Sequence, residues 1–261
     1  MKVSDLVSAP PKILIYSGAG TGKTALALTL GESCLYLDLD DNMDVAFGLK
    51  DQLQPERLKV EVEQFLDTPR RTKAFTTLKQ RVFKIANECH AGTFQYKVVV
   101  LDSLTSLAVA AQNMVMAGSN KVGDNPQIQH WGLLLTEIEN VITMLRSLPI
   151  IVFVLAHETT FTADDINKVQ IAIPGQKLPG RITRMFNEIW YFRNQPKGQG
   201  IHQMYIQTTP TSAVTCRSGR GLKTGTPFAT IDKQGLPTGS VSLWTILDQI
   251  QQQNKEALLT K

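Results

Sequence analysis

Three adjoining segments constrain this chain more than any other feature: the apolar run Lys12-Ile-Leu-Ile-Tyr16, the octapeptide Ser17-Gly-Ala-Gly-Thr-Gly-Lys-Thr24, and the run Thr24-Ala-Leu-Ala-Leu-Thr-Leu30. A short β-branched run reads as a strand, clustered glycines as a turn, and the Ala/Leu run as a helix. The octapeptide matches the phosphate loop Gly-x-x-x-x-Gly-Lys-Thr at every position but the first, where Ser17 stands. The chemistry accounts for the residue types. Gly18, Ala19, Gly20, Thr21 and Gly22 are small enough for backbone N–H groups to turn inward on a triphosphate. Lys23 then reaches the outer phosphates of ATP, and the Thr24 hydroxyl ligates Mg²⁺. A first position at positive φ would be strained by a side chain, so Ser17 is the expected weak point.

The rest of the chain repeats strand and helix. Cys34-Leu-Tyr-Leu-Asp-Leu-Asp40 reads as a second strand ending in acid. Phe75, Leu78, Val82, Ile85, Ala86 and Cys89 recur at helical spacing, and Gly92 stops them. Val98–Leu101 and Ile150–Leu155 are continuous apolar runs, the pattern of central parallel strands covered on both faces. Trp131, Leu134, Leu135, Ile138, Val141, Ile142 and Leu145 mark another amphipathic helix between them. This alternation predicts an α/β fold with a doubly wound, mostly parallel sheet. Beyond Phe161, strands are expected at 188–192 and 202–207, and a C-terminal helix from about Ser242. The expected layout is an N-terminal extension over 1–10, one core over 11–240, and a helix over 241–261. Leu243, Trp244, Ile246, Leu247 and Ile250 would let that helix cover its own core. Trp131, Trp190, Tyr191 and Phe192 are also expected in the core.

Composition removes several classes. With 261 residues, 43% apolar and 19% charged, the chain is neither collagen-like nor wholly disordered. Its longest apolar run, Ile150–Ala156, falls far short of the ~20 residues of a spanning helix. No secretory signal is read at its start. Cys34, Cys89 and Cys216 are odd in number and lack metal-ligand spacing, which predicts a cytoplasmic, reducing setting without a membrane partner. A formal charge of +4 permits polyanion binding without demanding it.

Asp102 ends the strand Val98–Leu101, where a carboxylate beside the loop is expected to serve Mg²⁺. The phosphate loop, Cys34–Asp40, Val98–Ser103 and the strand ending Ala156-His157 together resemble the RecA-type P-loop core. More closely, residues 10–195 resemble short phage-encoded RecA-like ATPases that support single-strand annealing and recombination. The resemblance implies a catalytic carboxylate at Asp40 that orients or deprotonates the attacking water, alongside Lys23. Asp38, Asp41 and Asp44 compete for that role. An Asp reaches one methylene less than the family's usual Glu, which implies slow ATP hydrolysis. The resemblance places a γ-phosphate-sensing switch at His157, against a purely structural histidine.

It also implies single-stranded DNA as partner, held by two loops. The first, 117–126, carries Lys121. The second, from Glu158 to about Gly180, carries Phe161, Lys168 and Lys177, with Arg181 and Arg184 following at a spacing that shares one helix face. These cations would track phosphates or reach a neighbour's ATP, and Phe161 would stack on a base. Arg217 and Arg220 lie in the densest basic segment, read either as a polyanion or intersubunit contact or as an exposed hairpin tip. A homo-oligomer is implied, with a single-strand-binding protein as a possible partner. The rival functions are a ring helicase or motor on the same core and a nucleotide-gated scaffold that recruits such a protein. A small-molecule kinase is the most distant, because the chain shows no separate acceptor lid.

Overall fold

Ile13–Ser17 are buried without interruption, which a strand achieves only when both faces are covered. The computed structural model describes residues 9–29, 33–44, 60–68, 71–121, 124–175, 177–231, 237–238 and 245–248. In chain order the elements are β1 (Lys12–Ser17), α1 (Lys23–Leu28), β2 (Cys34–Asp38), β3 (Val60–Gln64), α2 (Ala74–His90), β4 (Val98–Asp102), α3 (Leu104–Gly118) and α4 (Ile128–Ser147). There follow β5 (Ile151–Ala163), β6 (Ile166–Ile171), α5 (Leu178–Arg184), β7 (Glu188–Gly198), β8 (Ile201–Gln207), β9 (Arg217–Ser218), β10 (Thr226–Ile231) and β11 (Pro237–Thr238).

The parallel strands lie in the order β7-β1-β5-β4-β2-β3, and β8, β10 and β11 extend the sheet antiparallel beyond β7. Leu14, Tyr16, Leu35, Val99 and Val152 point to one face, where α2, α3 and α4 bury them. Ile13, Ile15, Tyr36, Phe153 and Trp190 point to the other, against Leu26 and Ala27 of α1 and Ile246 and Leu247 of the helical residues 245–248. Helices on both faces make the sheet doubly wound. The wholly buried Trp190 donates its ring N–H to Glu188 Oε2 at 3.0 Å, so a costly unpaired donor is avoided. No helix among the described residues is long and apolar enough to cross a membrane. Residues 1–8 of the expected extension, and Leu243, Trp244 and Ile250 of the expected C-terminal helix, lie outside the described residues.

Besides β9, β10 and β11, and the β6 strand described below, two elements escaped the sequence reading. One is α3, which Ser103 caps by accepting from the Ser106 N–H at 3.3 Å. The other is β3, Val-Glu-Val-Glu-Gln, an edge strand in which Glu61 is exposed and Glu63 is half-buried against Arg81 of α2, at 2.8 Å. A correction concerns the expected loop 158–180. Instead, β5 continues to Ala163 and returns as β6, pairing Glu158 with Ile171 through Ala163 with Ile166. Thr159, Thr160, Phe161 and Thr162 favour a pleated ribbon, and it turns on Asp164 and Asp165 at φ 54° and 57°. Both turn residues are left-handed, where a side chain is strained. Asp165→Gly should therefore raise stability by about 0.5–1 kcal/mol, read as a melting shift of a few degrees. A lowered melting temperature would show that Asp165 earns its place through a bond elsewhere.

Candidate active site

The parallel strands all end at one edge, and there the polar residues gather. Ser17 is the last residue of β1, paired with His157. This corrects the expectation of strain at the first loop position. That position is a strand residue, and the left-handed backbone falls instead on Gly20 (φ 71°) and Gly22 (φ 80°). The Ser17 hydroxyl bonds Thr21 Oγ1. Lys23 Nζ lies inside the loop, donating to Ser17 O at 3.1 Å, Ser17 Oγ at 3.3 Å and Gly18 O at 2.8 Å. Burial pushes the Lys23 ammonium down to about 8, against the pull of the Asp102, Glu158 and Asp40 charges. Ala19 and Gly20, at the crest, are exposed, so the mouth of the loop is open.

Thr24 Oγ1 donates to Asp102 Oδ2 at 2.7 Å, and the Tyr36 hydroxyl donates to the same oxygen. Burial raises the Asp102 carboxyl above its ordinary value, the bonds from Tyr36 and Thr24 oppose this, and the Asp40 and Asp38 charges add to it. Among the described residues no group of three or more metal-binding side chains occurs. Mg²⁺ needs none, because it typically takes one or two protein oxygens and completes its shell with phosphates and water. The paired hydroxyl and carboxylate, the inward ammonium and the open crest fit Mg·ATP.

Asp38, fully buried, spends its carboxylate on the chain itself. It accepts from the Asp40 and Asp41 N–H groups, both at 3.0 Å, and from Gln64 Nε2 at 3.1 Å. Asp41 and Asp44 are exposed. Asp40, with its side chain 5% exposed, accepts from Ser103 Oγ at 2.9 Å and meets His157 Nε2 at 3.1 Å. Burial alone would raise its carboxyl, but bonds from His157, Ser106 and Ser103 hold it below the ordinary range. The backbone of His157 is anchored in turn, its amide N–H donating to Thr105 Oγ1 at 3.0 Å. Because β5 lies between β1 and β4, His157 sits between the phosphate loop and Asp102. An inward cation, a hydroxyl–carboxylate pair and an ionised carboxylate held by histidine can bind a phosphorylated ligand and take a proton from water.

Sequence reasoning missed Glu158 as a wall of this site. Its Oε1 lies 3.3 Å from where a Cβ on Gly18 would stand, and its Oε2 is buried without a hydrogen-bond partner. The strand register carried the signal, since the Ser17–His157 pair sets Glu158 beside Gly18.

The expected DNA or intersubunit residues scatter. Phe161 is exposed on the β5–β6 hairpin, and Lys168, its cross-strand partner, bonds Asp164 at 2.8 Å. Lys121 donates to Gln127 Oε1 at 3.1 Å. Lys177 and Arg184 are exposed, whereas Arg181 is bound to Glu139 at 2.6 Å, fastening α5 to α4. Arg217 pairs in register with Ile189, at the sheet edge away from the phosphate loop, and its guanidinium caps the carbonyls of Thr183 and Phe186. Arg220 lies at that far edge too, bonded to Ala9 O. Arg217 and Arg220 are thus remote from the phosphate loop of their own chain, because β9 pairs with the start of β7 rather than its end.

Residues 9–218 match the sequence profile of a family described as AAA domain. No curated protein matches the chain. Among solved structures, a prototypical ATPase from the type III secretion system of pathogenic bacteria aligns over 71% of this chain at 14% identity and a TM-score of 0.47. The chain spans about half of that structure, 52% of its length.

Proposed function

We propose a function from one premise: this chain belongs to the AAA domain family. That premise makes it an ATPase; the resemblance of residues 10–195 to RecA-like ATPases supports the finer reading, a Mg-dependent enzyme of low turnover that binds single-stranded DNA when ATP is bound. It promotes strand annealing or pairing as a homo-oligomer, with a single-strand-binding protein as a possible partner. The observation that carries the reading is Asp40, ionised and held by His157 and Ser103 at the strand ends beside Lys23 and Asp102.

Mg²⁺, when bound, neutralises charge on the outer phosphates. Thr24 and Asp102 hold it, Lys23 draws the outer phosphates, and backbone N–H groups of 18–23 line the cradle. Asp40 takes the proton of the attacking water, with His157 fixing its direction. His157 and Phe161 lie on one continuous strand, β5, which supports coupling between the nucleotide and a DNA-bearing hairpin.

The test is fluorescence anisotropy of labelled oligo(dT) with and without a non-hydrolysable ATP analogue, using the unsubstituted protein and Lys23→Met. ATP-dependent DNA binding that Lys23→Met abolishes supports the reading. Equal binding by both proteins, or vigorous unwinding of a forked duplex in place of annealing, overturns it.

A further inference from the structure

β7 leaves the shelter of β1 at Tyr191, level with the end of the phosphate-loop strand, and runs on with β8 and β10 as an antiparallel ribbon. One face of the ribbon is core, with Phe192, Met204 and Ile206 buried. Side chains alternate along a strand, so Arg193 and its direct partner Tyr205 share the other face. That face borders a cavity of about 570 Å³, lined among others by Arg193, Tyr205, Gln207, Thr209 and Thr224. Among the described residues that line it there is no carboxylate. Gln207, 5% exposed, holds the Arg193 guanidinium in place, accepting from Nη1 at 3.3 Å while its own amide donates to Thr209 O at 2.9 Å. The Lys197 ammonium stands 5.4 Å from the centroid of the Tyr205 ring, a second positive charge beside the cavity. Guanidinium, aromatic ring, carboxamide and hydroxyls suit a nucleotide: a planar base with a phosphate attached.

The same pairing occurs on the other side of β1. Phe161 and Lys168 are direct cross-strand partners in the β5–β6 hairpin, as Tyr205 and Arg193 are in the ribbon. Residues 209–215 join the two. Val169 donates its N–H to Ala213 O at 2.7 Å, the Tyr16 hydroxyl donates to Thr215 O at 2.7 Å, and this segment lines both the large cavity and a smaller one beside Phe161 and Lys168. Two ring–cation pairs on one connected surface are the arrangement that follows an extended strand.

We propose that the Arg193–Tyr205 cavity is a subsite for single-stranded DNA, in which a base stacks on Tyr205 and its phosphate pairs with Arg193, continuing a strand that passes Phe161 and Lys168. This rests on the reading that the protein binds single-stranded DNA. The test is the affinity of labelled oligo(dT), measured over a series of salt concentrations with the ATP analogue present. Tyr205→Ala should weaken binding about 5- to 150-fold, the range of one lost stacked base, and Tyr205→Phe should stay within about twofold. Arg193→Gln should weaken binding and lower the slope of log K against log salt by about 0.7, one phosphate of a single strand. The melting shift produced by Mg·ATP should survive in each variant, which checks the fold. Should Tyr205→Ala unfold, the exposed Arg193 carries the test. If Phe161→Ala weakens binding while Tyr205→Ala and Arg193→Gln do not, the subsite is wrong and DNA binding stands. If Tyr205→Phe loses as much as Tyr205→Ala, stacking is refuted. If the unsubstituted protein does not bind oligo(dT), this subsite and the DNA reading fall together.

Discussion

Asp40→Asn should lower ATP turnover about 10²- to 10⁴-fold, the usual worth of a positioned proton acceptor, while Mg·ATP binds almost unchanged. Asn keeps the size of the side chain and an oxygen to accept from Ser103, so the geometry around His157 survives and the capacity to take a proton is lost. Turnover and binding heat measured on the same preparation separate these effects. Undiminished turnover would move the acceptor elsewhere, with Glu158, beside Gly18, the next carboxylate to test. The substitution also has a pH signature. The folded-state carboxyl of Asp40 lies below its ordinary 3.8, so its stabilising contribution is full above about pH 4 and is lost as pH falls through the folded value. Asp40→Asn should therefore be less stable than the unsubstituted protein at pH 7, and the two denaturation midpoints should converge as pH falls through the folded value of Asp40. A gap of constant width would mean that the charge of Asp40 contributes nothing to the fold.

Lys23→Met should abolish stabilisation by Mg·ATP without unfolding the nucleotide-free protein. A buried ammonium bonded to the carbonyls of Ser17 and Gly18 and the Ser17 hydroxyl, with the Asp102, Glu158 and Asp40 charges offsetting only part of its burial, is held less well than in water, and its lowered proton affinity says the same. Because the folded value lies below the unfolded one, the charge opposes folding at neutral pH, and that penalty lifts as pH rises from about 8 towards 10.5. Met fills the same volume without the charge, so the melting temperature without nucleotide should equal or exceed that of the unsubstituted protein. With ligand at about 100 times Kd, the unsubstituted protein should gain about 2.7 kcal/mol, or about 5–11 °C, and Lys23→Met should gain nothing. A full nucleotide-induced shift in Lys23→Met would remove Lys23 from the binding machinery.

The parts of the fold legible in the chain were those written in consecutive residues. Continuous apolar runs announced β4 and the buried half of β5, and a 3.6-residue rhythm announced α2 and α4. Helix α3 was passed over although Ser103 and the Leu104–Ala111 run carry a cap and good helix formers. The β5–β6 hairpin reads as a loop in the sequence because Asp-Asp is a weak turn signal beside Asn-Gly or Asp-Gly.

By itself the sequence determined the phosphate loop, because its spacing is local and each residue type answers to the geometry of a triphosphate. It also determined the strand-ending acids, since an apolar run that stops in Asp marks a sheet edge wherever that edge lies. Only the tertiary structure decided which acid serves which purpose. Asp38 and Asp40 differ by two positions, and strand pairing turned one inward onto backbone N–H groups and the other towards His157, 117 residues away. Register likewise set Glu158 against Gly18, carried Arg217 and Arg220 to the far edge, and brought Arg193 opposite Tyr205. Hydrogen-bond pairing between distant strands is a long-range property, and no local pattern of residues encodes it.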